Sequence, residues 1–206
     1  MKIFAKTKDQ RDVIQTQQGD DLAFTRLMER YQIPVFNLCY RMLGNPCCAE
    51  DAAQESFLRA HRNIHRFDPG RSFAAWLFSI AAHYCIDQLR RRKVVFISIN
   101  QTSEEDSRPM QLADARALHP EVALEQSEEH HALHRALEKL KPLDRAVIIL
   151  RYWYDFSDSE IAETLKISIP AVKSRIFRAR REIAARLERS ERHSNLAFGL
   201  PFAQFT

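Results

Sequence analysis

The chain has 206 residues, 45% of them hydrophobic, and a formal net charge of +4, enough apolar material for one cored domain or two small ones. Its four glycines argue against turn-rich β architecture and against glycine-cradled nucleotide sites. No apolar run approaches the ~20 residues of a membrane span, and the opening MKIFAKTKD lacks the apolar stretch of a signal peptide, so a cytoplasmic protein without membrane insertion is expected.

Asp20 or Asp21 is placed to cap a helix whose apolar face is Leu22, Leu27, Met28 and Tyr31. Pro34 is expected to interrupt it, with Val35, Leu38, Cys39 and Met42 carrying a second helix to the turn Gly44-Asn45-Pro46. A third helix, about Ala49 to Ile64, would bury Ala53, Phe57, Ala60 and Ile64. The run from Phe67 to Ser72 is a loop, because it strings Asp, Pro, Gly and Ser together. A fourth helix starts near Phe73, carries Trp76, Leu77, Ile80, Ala81 and Tyr84, and ends in the cations Arg90, Arg91, Arg92 and Lys93.

From Val94 to about His119 the chain is polar and aperiodic, with VVFISI at its start as a short extended segment, and it reads as a linker. Between Val94 and Glu129 there are eight acidic residues against two Arg. A second helical unit begins near Pro120, runs through Leu133, Leu137 and Leu140 to the breaker Pro142, and continues as a helix over Leu143 to Tyr154. His130, His131 and His134 fall on a polar, solvent-facing stretch of it.

The richest signal follows. Ser157 and Glu160 make an S-x-x-E capping box, and Ile161, Ala162 and Leu165 share one face of the helix it opens. Lys166 to Ile169 interrupt that helix, Ser168 is placed to cap the next, and Pro170 sits in its first turn, where a missing N–H costs little. Val172, Ile176, Ala179, Ile183 and Leu187 then recur at helical spacing. Left off that stripe are Lys173, Ser174, Arg175, Phe177, Arg178 and Arg181. From Lys166 to Arg192 nine Lys or Arg face three Glu. Charge runs are usually solvated faces, but a capped helix, a short turn and a basic helix in succession point to a helix-turn-helix that enters DNA. The fold expected is therefore all-α: residues 19–93 and 120–192 as two small helical domains, an acidic flexible linker at 94–119 between them, and a tail at 193–206.

Five separated motifs carry a resemblance. They are AEDAAQESFLRA at 49–60, RFDPGRSFAAWLFSIA at 66–81, IDQLRRR at 86–92, LRYWYDFSDSEIA at 150–162 and VKSRIFRAR at 172–180. In that order, the chain resembles a bacterial RNA polymerase sigma factor of the extracytoplasmic-function (ECF) group of the sigma-70 family, over roughly Gly19 to Leu187. The resemblance implies promoter-directed transcription initiation, with core RNA polymerase, promoter DNA and an anti-sigma factor as partners. It implies that Asp51, Gln54 and Glu55, at i, i+3 and i+4 on one helix side, hold core polymerase. It further implies that the loop Asp68 to Ser72 and the following helix face the unpaired −10 strand. Arg71, Ser72, His83, Arg90, Arg91 and Arg92 are the expected strand contacts, with Trp76, Phe78 and Tyr84 as candidate base platforms and Trp76 leaning toward core. His83 stands where the family often carries Asn, which bears on −10 base preference. The helix from Pro170 to Leu187 would read the −35 duplex through Lys173, Ser174, Arg175, Phe177, Arg178 and Arg181. For Arg178, bidentate bonding to guanine and phosphate binding both stand; for Phe177, a thymine methyl, the backbone or simple packing.

Two other readings compete. A sigma-like decoy that binds an anti-sigma factor without touching promoters should shed its basic recognition residues, and this chain keeps them. A DNA-processing enzyme needs clustered carboxylates or an activated nucleophile. Asp20-Asp21 and Glu50-Asp51 sit at helix starts, where acids complement the dipole. Cys39, Cys47, Cys48 and Cys85 have no zinc-ligand spacing and read as reduced thiols. No catalytic residue, metal site or cofactor is therefore expected. The tail beyond His193, with Phe198, Phe202 and Phe205, reads as disordered in preference to a docking segment.

Overall fold

A computed structural model describes residues 6–99 and 128–193, with side chains described over 8–92 and 133–187. Every regular element among them is helical. They belong to two compact units, the first holding α1 (Lys6–Gln17), α2 (Asp21–Leu43), α3 (Pro46–Asn63), a 3-10 turn (Ile64–Arg66) and α4 (Phe73–Ile99). The second holds α5 (Glu128–Glu138), α6 (Pro142–Trp153), α7 (Asp158–Leu165) and α8 (Ile169–His193).

In the first unit, Asp20 caps α2 by accepting from the amides of Leu22 and Ala23, at 2.9 and 3.3 Å. The helix ends at Gly44, whose φ of +73° allows its N–H to reach the Tyr40 carbonyl at 2.8 Å. Between those caps α2 is one helix; the expected break at Pro34 does not occur. An interior proline costs about 3 kcal/mol, and the burial of Leu27, Tyr31, Val35, Leu38, Cys39 and Met42 on the same helix offsets it. Two residues assigned to that apolar face lie outside it: Leu22 is 71% exposed and Met28 is also exposed. Asn45 caps α3 through the Cys48 amide, and Pro46 takes its first turn. Ala49, Ala52, Ala53, Phe57 and Ala60 are buried, the small residues allowing close helix approach. Helix α4 brings Phe73, Leu77, Phe78, Ala81 and Cys85 into the same core, where Tyr31 meets Phe73 and Phe78 edge-on at 5.5 and 6.4 Å. It continues to Ile99, so the VVFISI run is helical where an extended segment was expected. A short β-branched apolar run is ambiguous between the two periods, and the helix preceding it decides the outcome.

Helix α1 has no counterpart in the sequence reading. It docks on α2 through charge: Arg30 donates to Asp9 at 2.5 Å and to Asp12 at 2.9 Å, and Arg26 donates to Asp12 at 2.9 Å. The fully buried Tyr31 hydroxyl donates to the other Asp9 oxygen at 2.5 Å. Asp12 thus has two guanidinium donors and Asp9 a guanidinium and a hydroxyl, the condition under which burying carboxylates is tolerable.

In the second unit, Leu133, Ala136, Leu137 and Leu140 pack against Ile148, Ala179, Ile183 and Leu187. The buried Arg145 of α6 donates to the Glu138 carbonyl of α5. His134, expected on a solvent-facing stretch, is only 17% exposed in its side chain and lies 3.9 Å from Glu138. It stands one residue after Leu133 and three before Leu137, at the edge of the apolar stripe and not opposite it. The tail from 194 and the linker residues 100–119 lie outside the described residues.

Candidate nucleic-acid interface

The capping box forms as the sequence predicts: Ser157 accepts from the Glu160 amide at 3.2 Å, and Glu160 accepts from the Ser157 amide at 2.8 Å. Helix α7 closes on Lys166 in the left-handed region, φ +55°, and the chain re-enters a helix at once, with Ser168 accepting from the Ala171 amide at 3.3 Å. This short turn sets α8 against α7 and α6. Val172, Ala179 and Ile183 are buried, so the opposite face is turned outward.

On that outward face Lys173, Ser174, Phe177, Arg178 and Arg181 are all exposed. Phe177 is 63% exposed, and the Arg181 guanidinium lies over its ring at 5.8 Å. Packing is thereby removed from the readings of Phe177. Arg175 differs from its neighbours. It is half-buried and donates to Asp144 of α6 at 2.5 Å, against a carboxylate only 10% exposed in its side chain. Its guanidinium fastens α8 to α6.

In the first unit, Asp51 and Gln54 are exposed on α3, and Glu55 is half-exposed with an i,i+4 bond from Arg59 at 2.7 Å. Leu58, one turn further along the same side, is 51% exposed. Sequence reasoning missed it, although its spacing from Asp51 and Glu55 places it on that stripe. An exposed leucine beside acids suits a protein partner better than DNA.

The loop after the 3-10 turn is built locally. Asp68 accepts from the Gly70 amide at 2.8 Å, and its carbonyl accepts from the Arg71 amide at 3.0 Å. Ser72 caps α4 by accepting from Ala75 at 3.3 Å, so its hydroxyl has a structural task as well. Along α4, His83 is half-buried with Nδ1 2.7 Å from the Ser79 carbonyl. A carbonyl only accepts, so Nδ1 carries the proton and Nε2 is the ring's acceptor when neutral. Arg90, Arg91 and Arg92 are exposed, with Arg92 donating to the Cys48 thiol at 2.8 Å. Of the aromatic candidates, Phe78 is fully buried and is a core residue, not a platform. Its ring meets Tyr31 of α2 edge-on at 6.4 Å, a contact invisible in sequence. Trp76 is half-buried against Phe67 and Phe73, with centroids at 4.7 and 5.7 Å. Tyr84 lies under the Arg59 guanidinium at 4.8 Å. Among the described residues, no three His, Cys, Asp or Glu are grouped to hold a metal ion, and no helix is long and apolar enough to cross a membrane.

The family model for sigma-70 region 2 matches residues 27–94, and that for sigma-70 region 4 matches residues 130–183. The chain is 36% identical over 174 residues to the ECF RNA polymerase sigma factor SigW of Bacillus subtilis, covering 84% of this chain and 93% of SigW. It belongs to the ECF sigma factors. The RNA polymerase sigma-H factor of Pseudomonas aeruginosa is 29% identical over 90% of this chain and 97% of its own length. Among solved structures, CnrH in complex with the cytosolic domain of CnrY aligns with a TM-score of 0.65 at 25% identity, over 88% of this chain and 97% of CnrH. The sigma factor RpoE of Bartonella quintana, solved with the anti-sigma factor NepR, shares the fold at 22% identity and a TM-score of 0.60. This sigma factor is thus a transcription initiation factor that binds core RNA polymerase and directs it to promoters. The two matched regions fall on the two helical units, region 2 on the one with α1–α4 and region 4 on the one with the helix-turn-helix.

Proposed function

We propose a division of labour at the level of residues. Lys173, Ser174, Phe177, Arg178 and Arg181 read the −35 duplex, while Arg175 positions α8 through Asp144. The observation that carries this is the outward stripe of α8, three cations and an exposed aromatic ring opposite the buried Val172, Ala179 and Ile183. A helix so arranged delivers donors and an apolar edge to the major groove without disturbing its own core. Arg71, Ser72, His83, Arg90, Arg91 and Arg92 serve the −10 strand, with cations for phosphate and the half-buried Trp76 and Tyr84 as ring surfaces for bases. Asp51, Gln54 and Glu55 hold core polymerase, and the exposed Leu58 extends their surface. A first domain that takes in α1 and runs to the end of α4, a second at 120–192, an acidic linker at 100–119 and an anti-sigma partner complete the proposal. The protein is assigned no catalytic activity, and it works in the cytoplasm beside the polymerase. A decoy would have no use for the exposed cations of α8.

The test belongs in the holoenzyme, because polymerase positions both domains at once. Arg178→Ala, assayed on a panel of −35 variants, should cost roughly 1–3 kcal/mol and relax preference at one or two positions if Arg178 meets a base. An even loss over all promoters, with the salt slope reduced by about one, marks a phosphate contact. No loss at any promoter contradicts the assignment.

A further inference from the structure

Gln17, the last residue of α1, is half-buried, and its side-chain amide donates twice, to the carbonyls of Ile64 and Phe67, both at 2.7 Å. These carbonyls flank the 3-10 turn that leads into the loop Asp68 to Ser72. The Ile64 carbonyl also accepts from the Phe67 amide at 3.0 Å, so the Gln17 bond adds to a turn already closed. On its other side the loop entry is fixed by the Phe67 ring, tilted against Trp76 at 4.7 Å and edge-on to Phe73 at 5.9 Å. Helix α1 is not free to carry Gln17 away. Asp9 and Asp12 tie it to Arg26, Arg30 and Tyr31, Val13 is fully buried, and Thr16 donates to the Asp12 carbonyl at 2.7 Å. One side chain thus spans from the ion-paired α1 to the backbone from which the loop springs. An amide is well matched to that position: it supplies two N–H groups to two acceptors, and its loss takes a donor from the Phe67 carbonyl and leaves the Ile64 carbonyl only the Phe67 amide.

We propose that Gln17 is a positioning residue for −10 strand capture, a brace by which α1 holds the loop Asp68 to Ser72 in its strand-binding geometry. The proposal rests on the assignment of that loop to the −10 strand made above. It gives α1 a task beyond bulk stability, and it places the determinant of loop geometry some fifty residues away in sequence.

The experiment uses holoenzyme reconstituted with wild-type, Gln17→Ala, Gln17→Glu and Gln17→Lys chains. The probe is a fluorescent single-stranded oligonucleotide carrying the non-template −10 sequence of a promoter that the wild-type holoenzyme transcribes. Gln17→Glu turns a carboxylate on two carbonyls and should weaken strand binding about tenfold, the worth of one to two ordinary hydrogen bonds. Gln17→Ala, which keeps the fold test clean should the charged variant fail to fold, should lose roughly threefold to tenfold. Gln17→Lys retains donors and should recover most of the loss. Core polymerase affinity and binding of −35 duplex should not change in any of them, a separation that a merely destabilised chain would not show. Wild-type strand affinity in the Ala and Glu variants, or parallel loss of polymerase affinity, overturns the brace. An Arg71→Ala/Ser72→Ala chain runs alongside. If it loses strand affinity and the Gln17 variants do not, the brace alone is wrong; if it too binds like wild type, the loop assignment fails and takes the brace with it.

Discussion

Arg175 and Arg178 lie one turn apart on the same basic helix, and their surroundings separate them. Arg178 is exposed on the outward stripe, whereas Arg175 is bonded to Asp144 at 2.5 Å. Sequence grouped them because both fall off the apolar stripe; a partner 31 residues away on another helix leaves no local trace. The same blindness applies to Phe78, whose burial depends on Tyr31 arriving from α2. The predicted consequence is a crossed pattern. Arg175→Ala leaves the Asp144 carboxylate without its partner and should lower the stability of the second unit by roughly 1.5–3 kcal/mol, read as a fall in its melting temperature. Arg178→Ala should leave melting unchanged and act only on promoters. Equal melting temperatures for the wild type and Arg175→Ala would show that the Asp144 bond carries no structural weight.

Among the elements, the capped and apolar-striped ones were legible. The Ser157 box, the Gly44-Asn45-Pro46 turn, α3 and the helix-turn-helix follow from local chemistry alone. Pro34 misled because its local penalty was outweighed by tertiary burial along α2. Helix α1 went unread because carboxylates occupy positions where an apolar stripe was sought; Asp9, Asp12, Val13 and Thr16 do fall at helical spacing. Its attachment should be acid-sensitive. Burial pushes the Asp12 carboxyl up, but the hydrogen bonds and charges of Arg30 and Arg26 outweigh it and hold the group below its ordinary value. A depressed folded-state value means that the stabilisation is complete above the unfolded carboxylate pKa and is lost as pH falls through the folded one. Melting of the first unit, followed from pH 7 to about pH 2, should therefore decline below about pH 4. Asp12→Asn should melt lower at pH 7, by roughly 1.5–3 kcal/mol of stability, and show a shallower decline in the acid window. Identical acid profiles for the two chains would contradict the ion-pair account of α1.

For the whole molecule, sequence conveyed two helical units with opposite tasks and an acidic stretch between them. It could not convey how far α4 extends, because the six residues after Lys93 suit helix and strand alike, and the preceding helix settles the matter by continuing to Ile99. The eight acids against two Arg from Val94 to Glu129, without periodicity up to His119, predict that limited proteolysis of the free chain cuts first within 100–119. Protection of that stretch equal to that of α2 or α8 would speak against a linker. The most direct test of the central claim is transcription by core polymerase reconstituted with this chain on a library of promoter fragments. The account predicts start sites that appear only with the chain present and share −35 and −10 elements. It also predicts that an Asp51→Lys/Glu55→Lys chain with unchanged circular dichroism loses both polymerase association and those transcripts. Chain-dependent transcripts that persist in the folded double variant would refute the α3 surface, and no chain-dependent start site from any fragment would contradict the account as a whole.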